Sequence, residues 1–148
     1  NYADLVQNAF RRKPKPPDTI GLQLDSPVYF KDTITAQYTA LLTPAKVFGS
    51  LLSKWHANTQ VSSPDDLTIY LQKHVFMNTE EISVVEVNMG NYSLQGSMGL
   101  ARFISDNPRD PAWAFIFCLA RFAEFSGVGK DTAIGFGQVR RYQTDCID

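Results

Sequence analysis

The segment that most limits how this chain can fold is a glycine-rich stretch near its end. Residues 124–142 read EFSGVGKDTAIGFGQVRRY and follow an apolar stretch of helical periodicity. Glycine adopts positive φ readily and lets the backbone approach other groups closely. The four glycines are Gly127, Gly129, Gly135 and Gly137. We therefore predict a tight loop that caps a helix at Gly127 with a left-handed residue and leads into a last strand over residues 136–142.

The same segment predicts a site for an anion. Consecutive amide N–H groups in a glycine-rich turn can form a concave nest for phosphate, and Lys130, Arg140 and Arg141 add positive charge. A nucleotide-triphosphate loop is excluded, because that motif needs a glycine where Glu124 stands and a Ser or Thr where Asp131 stands. That motif also leads from a strand to a helix, whereas this loop leads from a helix to a strand. The prediction is a phosphate site of another kind.

Composition indicates one globular domain. The 148 residues are 44% hydrophobic and 20% charged, enough for a domain that buries about 70% of its extended-chain surface. A net charge of −1 argues against indiscriminate coating of nucleic acid, although a local basic surface still attracts phosphates. No apolar run approaches the roughly 20 residues that span a bilayer. Cys118 and Cys146 lie far apart and no zinc-site spacing is present, so we expect a cytoplasmic protein with reduced thiols, no metal and no cofactor.

The first 17 residues differ in character from the rest. Residues 11–17 read RRKPKPP, a basic and proline-rich stretch typical of a linker. The ten residues before it carry apolar side chains at roughly helical spacing. We predict that residues 1–17 are the end of a preceding domain and a linker, that residues 18–148 form one domain, and that a whole first domain is missing from this chain.

Residue periodicity predicts an alternation of strands and helices. Residues 19–24 alternate as a half-buried strand does, and Thr43-Pro44 starts a helix whose apolar side ends at Trp55. A second proline-containing signal, at residues 63–66, starts a shorter helix through Lys73. Residues 82–89 and 92–104 are predicted to form a hairpin, in which Gly96 and Gly99 indicate a bulge or a close backbone approach. A long helix follows from Asp110-Pro111 to Phe125.

This order predicts an α+β fold of the ferredoxin-like type, β-α-β-β-α-β, with a small inserted helix. Both long helices would cover one face of an antiparallel sheet. Trp113 and Phe117 lie off the main apolar stripe of the last helix. Two interpretations stay open for them: a deeply buried helix, or a docking face for the missing domain.

Three stretches, taken in this order, give the chain a resemblance to a known family. They are IGLQLDSPVYF at 20–30 with VFGSLLSKW at 47–55, the strand GSMG at 96–99, and FSGVGK at 125–130 joined to GFGQV at 135–139. The chain resembles the second domain of the CRISPR-associated endoribonucleases that cut repeat transcripts into guide RNAs. These enzymes belong to the repeat-associated (RAMP) superfamily of paired ferredoxin-like domains. Val28 and Ser97 depart from the family pattern.

The resemblance implies metal-independent cleavage, in which a 2′-hydroxyl attacks the neighbouring phosphate with the help of a general base and acid. The base is often a histidine of the first domain, so the catalytic residues of the whole protein are not identified in this chain. His56 and His74, each at the end of a predicted helix, are interpreted as caps on the helix dipole.

The resemblance also implies that the glycine-rich loop lies near the RNA backbone. Because Arg140 and Arg141 point to opposite faces of their strand, at most one of them should share that surface. The predicted RNA-binding residues are Gly127, Gly129, Lys130, Gly135, Gly137, Arg140 and Arg141. The predicted partners are the CRISPR repeat transcript, the missing N-terminal domain, and either a second copy or the subunits of an effector complex.

Two alternatives remain. The chain can be part of a non-catalytic RAMP subunit that holds guide RNA in an effector complex. It can also be a protein-interaction module that binds a partner through Trp113 and Phe117.

Overall fold

The computed structural model of the chain describes residues 18–142. The predictions for residues 1–17 and for Cys146 lie outside these residues. The strands are β1 (Thr19–Val28), β2 (Phe30–Lys31), β3 (Tyr38–Thr39), β4 (Val75–Asn88), β5 (Ser93–Ser105) and β6 (Val139–Tyr142). The helices are α1 (Pro44–Asn58), α2 (Leu67–His74) and α3 (Pro111–Ser126), and a 3₁₀ turn covers Thr132–Ile134.

The main sheet confirms the ferredoxin-like prediction. Its four strands are antiparallel and lie in the order β4-β5-β1-β6. With α2 as an insertion, the chain order is β1-α1-β4-β5-α3-β6, which is the split β-α-β-β-α-β arrangement. The short strands β2 and β3 form a separate two-stranded ribbon between β1 and α1.

The two long helices begin where the sequence predicts. The Thr43 side chain accepts a hydrogen bond from the backbone N–H of Lys46 at 3.1 Å and caps α1. Asp110 caps α3 in the same way. The helices meet at Trp55, which is fully buried, with ring centroids 5.7 Å and 5.3 Å from Phe115 and Phe122. Aromatic contacts of this edge-to-face kind stabilise the core beyond the area they bury.

The hairpin of β4 and β5 is longer than predicted. β4 begins at Val75, seven residues before the predicted start, because its first half, VFMNTEE, does not alternate between apolar and polar residues. The predicted close approach at Gly99 is confirmed: its φ is +116° and a Cβ there would lie 2.1 Å from the Glu81 carbonyl oxygen. The register of β4 and β5 shifts beside it, between Asn78 and Glu81.

The interpretation of Trp113 as part of a docking face is wrong. Trp113 is completely buried in the core, and ten of the 16 residues of α3 are buried. Phe117 is partly buried against the same core and lies below the Arg141 guanidinium, whose carbon is 5.5 Å from the ring centroid. The interpretation of α3 as a deeply buried helix is therefore correct.

Within residues 18–142, each helix is too short or too polar to cross a bilayer.

Candidate nucleic-acid interface

The glycine-rich loop folds back on itself after α3. The Gly127 N–H donates to the Ala123 carbonyl at 2.8 Å and ends the helix. Its φ of +71° is positive as predicted, but its ψ of 173° is extended, so it is not the left-handed helical residue that was expected. The Val128 N–H then donates to the Gly137 carbonyl at 2.9 Å, which closes the loop and buries Val128. For this reason β6 starts only at Val139, three residues later than predicted.

Three of the four glycines are required by packing. A Cβ at Gly127 would lie 2.7 Å from a Thr132 methyl carbon, and one at Gly137 would lie 2.0 Å from the Val128 carbonyl oxygen. At Gly129 it would lie 2.5 Å from the Tyr29 carbonyl oxygen. Gly135 has a φ of +104° and open space around it, so only its backbone conformation calls for glycine.

The amide groups of this loop already have partners inside the protein. The four successive N–H groups of residues 127–130 donate to the oxygen atoms of Ala123, Gly137, Ser50 and Tyr29, in that order. These four groups therefore do not form the amide nest for phosphate that the sequence predicted.

Lys54 of α1 holds the other side of the loop. Its ammonium donates to the carbonyl oxygen atoms of Gly127 at 3.3 Å and Gly129 at 2.9 Å. Burial lowers the pKa of Lys54 from 10.5 to about 8. Ser50, one turn earlier, accepts the N–H of Gly129 at 3.0 Å. The side of α1 that carries Ser50 and Lys54 therefore supports the loop.

The tip of the loop is fastened to the end of β1. The buried Tyr29 hydroxyl donates to the carboxylate of Asp131, which has a left-handed backbone with φ of +61°. Burial, reinforced by the Asp131 hydrogen bond, raises the pKa of Tyr29 well above its ordinary value. The Tyr29 ring also packs edge-on against Phe136 and Tyr38, with centroids 5.4 Å and 5.5 Å away. These contacts fix the position of Lys130, which precedes Asp131.

An open groove of about 670 Å³ lies between the loop, the start of α1 and the β2–β3 ribbon. Its volume is within the range of about 300–1,000 Å³ that is usual for ligand sites. Three lysines line it, one from each element: Lys31, Lys46 and Lys130. We name it the lysine groove. The residues between the lysines are mostly small or polar: Thr33, Thr39, Ala45, Gly49, Ser50, Ser53 and Gly129.

The charge of the lysine groove is positive. Asp32 is the one acidic residue among its lining residues, so three lysines and one aspartate give a lining charge of +2. Hydrogen bonds from the backbone N–H groups of Ile34 and Thr35, and then the charge of Lys46, lower the pKa of Asp32 and keep it ionised. The Lys130 ammonium also lies 4.0 Å from the Asp131 carboxylate. Lys46 and Lys130 thus each have an acidic neighbour.

The structure brings only two of the predicted site residues to this groove, Gly129 and Lys130. Gly127 and Gly137 are buried, and Gly135 lies outside the groove. Two lysines that sequence reasoning missed, Lys31 and Lys46, join them. Lys46 could have been found from its helical spacing to Ser50 and Lys54, which face the loop.

Neither predicted arginine lines the groove. The Arg140 guanidinium forms a two-pronged ion pair with Asp25, with distances of 2.6 Å and 3.0 Å, and this pairing lowers the pKa of Asp25. Arg141 lies on the helix side, over Phe117, and its backbone N–H donates to the Glu124 carboxylate at 2.8 Å. The two arginines do lie on opposite faces of β6, as predicted.

Neither histidine is among the residues that line the groove. The His56 ring is 3.2 Å from the Ser63 hydroxyl, and His74 is 2.8 Å from the Asp106 carboxylate. His74 precedes β4 at the end of the sheet where β1 begins, whereas the groove is at the other end of β1. Ten extended residues separate these ends by about 30 Å. Among residues 18–142, no cluster of His, Cys, Asp or Glu side chains could hold a metal ion.

Comparison with known proteins assigns a family to this chain. The family described as CRISPR-associated endoribonuclease Cas6 matches residues 22–139. No curated protein matches the sequence.

Solved structures share the fold at low sequence identity. A Cas6 product complex has a TM-score of 0.81 and 21% identity, over 97% of this chain and 56% of that chain. A Cas6 protein from Thermus thermophilus has a TM-score of 0.80 and 22% identity, over 96% of this chain and 58% of that chain. A RAMP protein described as binding different RNA substrates has a TM-score of 0.56 and 13% identity, over 89% and 52%. This chain therefore spans little more than half the length of these proteins.

Proposed function

This chain belongs to the CRISPR-associated endoribonuclease Cas6 family, and we propose that its lysine groove binds the phosphate groups of RNA. The observation that carries the proposal is the meeting of Lys31, Lys46 and Lys130 from three separate elements in one open groove. Three ammonium groups with a single lining carboxylate favour a polyanion over a neutral ligand.

The chemistry of the groove supports binding to the RNA backbone rather than reading of bases. A lysine ammonium is a compact point charge that contacts phosphate oxygen atoms without the paired geometry that an arginine offers to a base edge. Contacts of this kind fix the register and orientation of a nucleic acid and carry no sequence information. The groove would therefore position RNA for a reaction that is carried out elsewhere.

We place this chain in the second ferredoxin-like domain of a longer repeat-processing endoribonuclease. It spans 56–58% of the Cas6 proteins described above, and one related structure is described as a substrate mimic complex. In this proposal the RNA is a CRISPR repeat transcript, and the catalytic group belongs to the part that this chain lacks. His74 lies at the opposite end of β1 from the groove and His56 is not among the groove-lining residues, which supports that division.

A non-catalytic RAMP subunit that holds guide RNA is the second candidate. The absence of a histidine from the described lining residues fits this candidate as well as the first, because a groove that only binds RNA needs no histidine. Metal-free cleavage of repeat RNA by the full-length protein would separate the two functions.

The hypothesis of a protein-interaction module is weakened, because its binding face included Trp113 and Trp113 is buried. Binding to a second copy or to effector-complex subunits remains a prediction, as does a cytoplasmic location.

Single substitutions in the groove test the proposal. We expect Lys31→Ala, Lys46→Ala and Lys130→Ala each to weaken binding of a repeat-RNA oligonucleotide by about three- to tenfold, because each removes one phosphate contact. Fluorescence anisotropy at fixed low salt measures the affinity. Lys73→Ala is the matched control, because Lys73 is an exposed lysine of α2 outside the groove. Equal loss in the control and the groove variants would contradict the proposal.

A further inference from the structure

Gly49 lies in the interior of α1 without a reason inside the domain. Glycine is, after proline, the least favourable residue for a helix interior. Its φ is not positive, and a Cβ built on it would meet no atom within 4 Å. Gly96, by contrast, is needed because a Cβ there would lie 2.6 Å from Pro27. Packing and backbone conformation among the described residues therefore leave Gly49 unexplained.

The open space above Gly49 belongs to the lysine groove. Gly49 lines it together with Lys46, three residues earlier on the same helix, and with Lys130 of the loop. The neighbouring Ser50 is occupied by its hydrogen bond from Gly129, which fixes the loop beside this part of α1. A side chain at position 49 would enter the space that Lys46 and Lys130 also line.

We infer that Gly49 is a contact position for the ribose–phosphate backbone of RNA. Because the residue has no side chain, a strand of RNA can pass against the surface of α1 while Lys46 and Lys130 reach its phosphates. The close approach of a backbone to a ligand is a usual role of glycine. This inference rests on the proposed RNA-binding function. It adds a steric requirement that the charges alone do not impose.

The test uses neutral substitutions in the 148-residue chain. Gly49→Gln should lower repeat-RNA affinity by about tenfold and keep the salt dependence of binding, since no charge changes. Gly49→Ala should raise the melting temperature by a few degrees, because alanine favours a helix and meets open space. The matched control is Ala57→Gln, at an exposed position of the same helix outside the groove, which should leave RNA affinity unchanged.

The outcomes separate this inference from the function on which it rests. If Lys130→Ala weakens RNA binding but Gly49→Gln binds like the unaltered chain, the inference is overturned and the proposed function stands. If the unaltered chain binds no RNA, the proposed function itself fails. A melting temperature that falls by several degrees in Gly49→Ala would also overturn the inference, because the space would then be filled.

Discussion

Lys54 is a charged residue that helps to set the shape of the loop. Its ammonium contacts the carbonyl oxygen atoms of Gly127 and Gly129, so one charged group holds both sides of the first turn of the loop. Hydrogen bonds that involve a charged group are stronger than neutral ones, but the burial of a charge has an opposing cost. The lowered pKa of Lys54 shows that burial acts against its charged form.

This balance predicts a pH dependence of stability. The pKa of Lys54 is about 8 in the folded chain and 10.5 in the ordinary state. Between these values the unfolded chain binds a proton that the folded chain does not, so the free energy of unfolding contributed by Lys54 rises as pH increases from 8 to 10.5. Urea denaturation of the unaltered chain and of Lys54→Met, from pH 7 to 10, measures the difference.

The comparison with Lys54→Met is needed because other groups titrate in the opposite direction. Burial raises the pKa of Cys118 to about 11 and also raises that of Tyr29, so both destabilise the fold at high pH in either protein. Subtraction of one profile from the other gives the contribution of Lys54 to the free energy of unfolding. Lys73→Met should follow the unaltered chain. Parallel profiles for Lys54→Met and the unaltered chain would show that Lys54 is not titrating in this range.

At the scale of elements, the sequence predicts those parts that carry a periodic pattern. β1, α1 and α3 were found from apolar spacing and from their capping residues, and the ferredoxin-like order follows from them. The β2–β3 ribbon was missed, because two strands of two residues leave no period to detect. That ribbon carries Lys31, so a third of the positive charge of the groove was missed with it.

The interpretation of Trp113 as part of a docking face was wrong for a different reason. Helical periodicity separates a buried face from an exposed one only when a helix has an exposed face, and α3 is buried on most sides. The amides of residues 127–130 do not form the predicted anion nest, for a third reason. Composition indicates that a glycine-rich loop can present its amides, but whether protein oxygen atoms already accept them depends on the packing of β1 and α1 against the loop.

Two glycines of the loop provide a matched pair of substitutions. Gly129→Ala should destabilise the fold by about 2–4 kcal/mol, because it adds strain at a φ of +83° to a clash 2.5 Å from the Tyr29 carbonyl. Gly135→Ala should cost about 1–2 kcal/mol, since it meets only the backbone strain. Denaturant titration measures both values.

RNA binding should separate the same pair. Gly129 lines the lysine groove and Gly135 does not, so at a temperature where both variants are folded only Gly129→Ala should bind repeat RNA more weakly. Equal RNA affinities for the two variants would mean that the shape of the loop at Gly129 has no part in binding.

For the molecule as a whole, the distribution of charge matters more than its sum. The chain has a net charge of −1, whereas the lining of the lysine groove has a charge of +2. Phosphates respond to the local field, which is screened beyond about 10 Å at 0.1 M salt. A chain of this kind should bind RNA at one place rather than over its surface, and three lysines set the number of ionic contacts.

The salt dependence of binding counts those contacts. Each neutralised phosphate of single-stranded RNA contributes a slope of about −0.7 to log K against log salt, so three lysines predict a slope of about −2. Each single lysine-to-alanine substitution should reduce its magnitude by about 0.7, and the triple variant should bind almost independently of salt. Titrations between about 50 and 300 mM salt, with Lys73→Ala as the control, measure these slopes. If a slope near −2 persists in the triple variant, other basic residues make the ionic contacts. The basic residues at 11–15 would then be the first to substitute.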